Sequence, residues 1–164
     1  GIVAFVKVRN TQKVIMSRNL LAYVAAVIVT YVLGAVFVSQ GNVGGVVALG
    51  FDITIAQRIE AAVHDITNMT DIYLVLVAVS LLMGLPVAKV VIRVYPNVRF
   101  SIYVLAGFVA MIALPVIMKA VLGVSGIAPT RLPFGLFAQG IAGAAGGCVF
   151  WRLTETRLRS DRKK

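Results

Sequence analysis

The chain reads as an all-α integral membrane protein: four transmembrane helices, with a short amphipathic helix in the first outer loop. Three observations predict this. Four apolar stretches, at 20–38, 72–94, 100–122 and 132–151, approach the ~20 residues a helix needs to cross ~30 Å of hydrocarbon. Charged residues make up 13% of the 164, about half the ~25% that clothes a water-soluble domain. Basic residues gather on alternate connections, the pattern that orients spans in a bilayer.

Residues 1–19 carry Lys7, Arg9, Lys13 and Arg18 with no acid. Residues 2–8 are apolar enough to rest on the bilayer surface, and Ser17 or Asn19 can cap the first span by accepting from its unpaired N–H groups. That span, 20–38, has no charge. It is too long for the apolar core of a signal peptide, and no A-x-A-like site follows it. The run Ser39-Gln40-Gly41-Asn42 is turn-rich and predicts its end.

Thr54 and Gln57 stand in capping-box spacing and open a helix over 54–67. Ile55, Ile59, Ala62, Val63 and Ile66 recur at helical intervals as one stripe, with Arg58, Glu60, His64 and Asp65 elsewhere on the wheel. Such a helix is expected to lie in the membrane interface or to cap the bundle.

The second span, 72–94, ends with Lys89 and Arg93 one turn apart, whose long stems can reach the headgroups. Pro86 should kink it, with Gly84 easing the bend. Tyr95-Pro96-Asn97 reads as a tight turn, and Arg99 leads into the third span, 100–122, which contains Pro115 and Lys119. Residues 123–129 form the second outer loop. Pro133 suits the first turn of the fourth helix, where its missing N–H costs nothing. The four-helix domain thus covers 20–153, and 154–164 is a basic tail.

Sorting the basic residues by connection gives the orientation. Thirteen of the sixteen lie in the N-terminal segment, the second-to-third connection or the tail; Arg58, Lys119 and Arg131 lie on the other side. Short Lys/Arg-rich segments stay cytoplasmic, which puts both termini inside and the loop bearing Asp52, Glu60, Asp65 and Asp71 outside. The implied location is a bacterial inner membrane. A re-entrant third stretch, broken at Pro115, would separate the termini and spoil this pattern.

The net charge of +10 does not read as nucleic-acid binding. The basic side chains sit at the ends of apolar segments, with no aromatic-interleaved surface for stacking bases. Lys89, Arg93, Arg99 and Arg152 are instead candidates for headgroup contacts, and bound lipid is the ligand they imply. Cys148 is the single cysteine, with no CxxC pair and no internal disulfide to make. No cofactor or metal is indicated.

The fourth span offers the clearest candidate surface. Gly135, Ala138, Ala142 and Gly146 form one row and Gly143-x-x-x-Gly147 another, the small-residue spacing that lets helix backbones meet in lipid. Such rows serve packing inside a bundle or docking to a partner. Gln139 is the strong polar side chain well inside a span, suited to an interhelical hydrogen bond. Glu60, His64 and Asp65 are the one acid–imidazole constellation, with Glu60 and His64 four apart on a shared helix face. They read as a surface ion pair or a contact to a partner's outer domain, with the site of a membrane enzyme as the alternative.

Three functions follow. The leading one is a non-catalytic accessory or assembly subunit that packs against other transmembrane subunits or a second copy of itself. The second is a small homo-oligomeric transporter or channel, and the third an enzyme using the outer cluster. Ion-coupled transport generally needs an ionisable group at mid-membrane, and the span interiors carry none.

Overall fold

A computed structural model describes residues 2–70, 72–123 and 133–161. Among these the chain is helical throughout, without strands: α1 (Ile2–Ala48), α2 (Ile55–Asn68), α3 (Ile72–Val94), a single 3-10 turn (Pro96–Val98), α4 (Arg99–Leu122) and α5 (Pro133–Asp161). α1, α3, α4 and α5 are each long and apolar enough to cross a membrane. Most of the expected second outer loop, and Asp71, Arg131 and Leu132, lie outside the described residues.

α1 corrects two expectations. It is one unbroken helix of 47 residues, about 70 Å long at 1.5 Å per residue, more than twice the hydrocarbon thickness. No separate surface segment precedes the span, because residues 2–33 contain neither glycine nor proline to interrupt a helix. Ser17 is consequently not a cap; its hydroxyl donates to Val14 O at 2.9 Å within the helix. Nor does the helix end at Ser39-Gln40-Gly41-Asn42. Ser39 is fully buried, and Gln40 turns its amide to α2 rather than to its own backbone. The true stop follows Ala48, where Leu49 and Gly50 N–H bond to Val46 and Val47 carbonyls. Gly50 then takes φ +93°, a conformation costly to any residue with a Cβ.

α2 begins with the predicted capping box: Gln57 N–H donates to Thr54 Oγ at 3.3 Å and Thr54 N–H to Gln57 Oε1 at 2.9 Å. It runs alongside the C-terminal half of α1 instead of spreading away from it. Gln40 Nε2 donates to Arg58 O at 3.2 Å, and Tyr31 Oη donates to Ile66 O at 2.6 Å. These anchors are nine residues apart on α1 and eight on α2, or about 13.5 and 12 Å of rise. The two helices are therefore antiparallel neighbours. Tyr31 also serves α2 itself, since Ile66 lies in the last turn, whose carbonyls have no intrahelical partner. Thr67 and Asn68 side chains satisfy the His64 carbonyl in the same turn.

Both prolines sit inside continuous helices, Pro86 in α3 and Pro115 in α4. Gly84 acts as a contact point: a Cβ there would lie 2.7 Å from Ala110 Cβ on α4. α4 closes with Gly123 at φ +67°, its N–H on Lys119 O at 3.1 Å. α5 passes beyond Trp151 to Asp161, so much of the expected tail is helix. No glycine or proline follows Gly147 to stop it.

The four long helices close a ring in which α1 packs on α3 and α5, and α4 packs on the same two. α1 and α4 thus hold opposite corners and run parallel. The core is Val77, Leu81 and Leu85 of α3 with Ala26, Ala35, Met111 and Phe150.

Candidate functional site: the small-residue face of α5

The glycines of α5 are divided between two neighbours. A Cβ on Gly143 would stand 2.1 Å from Gly107 O, one on Gly107 would stand 2.1 Å from Gly143 O, and one on Gly147 would stand 2.1 Å from Tyr103 O. Real Cβ atoms do not approach a backbone oxygen so closely, so only glycine permits this α4–α5 distance. Gly146 turns to α1, where a Cβ would meet Thr30 Oγ at 2.0 Å. Ala142 is fully buried between these contacts. Gly135 and Ala138 are only half-buried. Gly143, Gly147, Ala142 and Gly146 thus pack inside the bundle. What α5 leaves uncovered is bulkier: Phe134, Phe137, Ile141 and Leu153.

Tilted aromatic pairs extend the α4–α5 seam on both sides of the glycines. Phe108 meets Phe137 at 5.7 Å, Tyr103 meets Phe150 at 5.2 Å and Phe100 meets Trp151 at 4.9 Å between centroids. These are edge-on or tilted geometries that aromatic rings favour.

Gln139 makes an interhelical hydrogen bond of the kind its position suggests, and makes it twice. Its Oε1 accepts from Tyr73 Oη at 2.5 Å and its Nε2 donates to Gly34 O at 3.3 Å. Three helices are joined through one amide. Gly34 makes room for this joint, because a Cβ there would fall 1.8 Å from Tyr73 Oη. Tyr31 packs on Tyr73 with centroids 5.7 Å apart. Sequence reading missed Tyr73 and Gly34: a tyrosine one residue into a span looks like an interface anchor, and a lone glycine has no partner until the helices are placed.

The acid–imidazole group is looser than its spacing suggests. His64 Nδ1 lies 3.5 Å from Asp65 Oδ1, with the imidazole 71% exposed. Glu60 forms no ion pair with it among the described residues, and no group of three His, Cys, Asp or Glu converges there to hold a metal. Of the four headgroup candidates, Arg99 and Lys89 make contacts between helices. Arg99 reaches Glu155 at 3.5 Å, tying α4 to α5, and Lys89 Nζ stands 5.3 Å over the Phe150 ring. Arg93 and Arg152 are exposed, where headgroups could reach them. Cys148 is a half-buried free thiol.

Among the described residues the buried polar side chains Thr30, Ser39, Ser80 and Gln139 are neutral, the buried Tyr31, Tyr73 and Tyr103 add phenols, and the half-buried Arg99 and Glu155 shield Nε and Oε2 from solvent. No protein-family model, curated protein or solved structure matches this chain, and the site is read on its own geometry.

Proposed function

We propose that this protein is a non-catalytic accessory or assembly subunit of a bacterial inner-membrane complex, with both termini in the cytoplasm. The observation that carries the reading is the neutral interior. Among the described residues the buried polar side chains are alcohols, one amide and tyrosine phenols, and the ion pair with buried atoms, Arg99–Glu155, lies at the start of α4. Of these, Gln139, Tyr31 and Tyr73 join helices and none is a carboxylate, imidazole, amine or guanidinium, whereas transport relays rely on acidic, basic or imidazole side chains. The outward faces of the long helices are broad and apolar, with Leu82 and Met83 on α3, Leu105 and Val109 on α4 and Phe137 and Ile141 on α5 among the residues left uncovered. A chain whose strongest polar links are spent on its own helices acts by presenting shape to neighbours.

Mild detergent extraction from native membranes, followed by native mass measurement, tests this. The expected result is this chain at fixed stoichiometry within a larger assembly. A chain that runs by itself, or that supports substrate flux in liposomes containing nothing else, overturns it.

A further inference from the structure

We infer that copies of this chain associate head to tail, with the α2 face of one copy against the far end of α4 on the next. The inference goes beyond the accessory reading and can fail without it.

α2 has two unlike sides. Arg58, Ala62, Asp65, Ile66 and Met69 turn toward the bundle and are half-buried. Ile55, Ile59 and Val63, spaced by four, form an apolar edge that stays 77%, 60% and 55% exposed. Glu60 is exposed beside that edge. The edge lies in the acidic part of a basic chain: four of its six acids, Asp52, Glu60, Asp65 and Asp71, fall between residues 52 and 71. Arg58 is the basic residue in that stretch, and its guanidinium turns inward to Gln40 Oε1 at 3.4 Å.

The opposite corner of the bundle carries the complement. Gly143 meets Gly107 and Gly147 meets Tyr103, so α5 runs antiparallel to α4; Gln139 meets Gly34 and Gly146 meets Thr30, so it is antiparallel to α1 as well. α1 and α4 therefore finish at the same end of the molecule, the end along which α2 lies. In the last turn of α4, Lys119 is exposed among Val116, Ile117 and Val121, which are also uncovered. Among the described residues neither Glu60 nor Lys119 has an ion-pair partner.

An apolar edge with a carboxylate thus lies on the α1 side of the bundle and an apolar edge with an ammonium on the α4 side, at one end of the same molecule. Lipid phosphate has the wrong sign for Glu60. A second copy supplies both the apolar cover and the cation. Because the two edges sit at opposite corners, the contact is heterologous, and repetition builds a row or, with a small rotation, a ring.

Paired cysteines test it in native membranes. In a Cys148→Ser background, oxidation of the Glu60→Cys, Lys119→Cys double variant should give a ladder of multiples, while either single variant gives none. Charge reversal supplies the second arm. Glu60→Lys and Lys119→Glu should each lower the multimer fraction tenfold or more, and combining them should restore it. Both positions are exposed, so the thermal midpoint of the monomer should not move. A double-cysteine variant that links no faster than the singles overturns the inference. So does a dimer from Glu60→Cys alone, which would set α2 against α2, and so does a charge swap that fails to rescue. If no ladder forms yet the chain still migrates with a larger assembly, the accessory reading stands without this one; a ladder with no other protein present gives the reverse.

Discussion

Tyr73 and Gln139 are 66 residues apart in sequence and share a buried hydrogen bond of 2.5 Å, in a space that exists because residue 34 has no side chain. Removing either partner leaves the other unsatisfied in an apolar setting. Tyr73→Phe and Gln139→Leu are each expected to cost about 1 kcal/mol, the scale measured for interhelical bonds in membranes. The double variant should cost clearly less than the two together. Thermal unfolding in a fixed detergent measures the cycle, and strict additivity would show that the bond contributes nothing.

Gly34→Ala tests the same joint from its floor. The new Cβ would sit 1.8 Å from Tyr73 Oη, so Tyr73 must leave Gln139 or α1 must back away from α3. Overpacking of this kind costs about 1–3 kcal/mol. Combining Gly34→Ala with Tyr73→Phe should recover part of the loss, because the colliding oxygen is gone. No recovery would place the strain elsewhere.

The glycines of this chain should separate into opposite classes. Gly143→Ala sets a Cβ 2.1 Å from the backbone oxygen of Gly107, which cannot rotate away, and should destabilise by more than 2 kcal/mol on the same overpacking argument. Gly140→Ala meets the Phe108 ring at 2.6 Å, a side chain with some freedom, and should cost less. Gly44→Ala meets nothing within 4 Å and lies inside α1; alanine's helical preference should stabilise it by up to about 1 kcal/mol. Melting the three variants side by side checks the order, and a Gly143→Ala protein as stable as the parent would contradict the α4–α5 contact.

Tyr31→Phe removes the donor that satisfies Ile66 O, and Gln40→Leu removes the partner of Arg58. Together they should loosen α2 from α1 while leaving the α4–α5 seam intact. Amide exchange across residues 55–68 should quicken by tenfold or more, with residues 140–150 unchanged. Equal acceleration in both regions would mean that α2 is not a separable element.

Much of the architecture was legible because the bilayer imposes a simple rule on sequence. A helix in lipid must satisfy its backbone within itself, and its length must match the membrane. That rule made the spans at 72–94 and 100–122 readable nearly to the residue. The capping box at Thr54 and Gln57 was readable for a comparable reason, since both partners lie within one turn. Turn-rich composition misled at Ser39-Gln40-Gly41-Asn42. Ser39 is sealed in the bundle and Gln40 is held by α2, so tertiary packing carried α1 past a local stop signal.

By itself, then, the sequence determined an all-helical chain with four membrane-length helices, because apolar length and periodicity are local properties of a chain. The tertiary structure alone decided what the polar and small residues are for. Gly143 pairs with Gly107, Gln139 with Tyr73 and Gly34, Tyr31 with Ile66 and Arg99 with Glu155. Each of these links joins helices distant in sequence, and its partner is chosen by crossing geometry, which no spacing along one helix encodes.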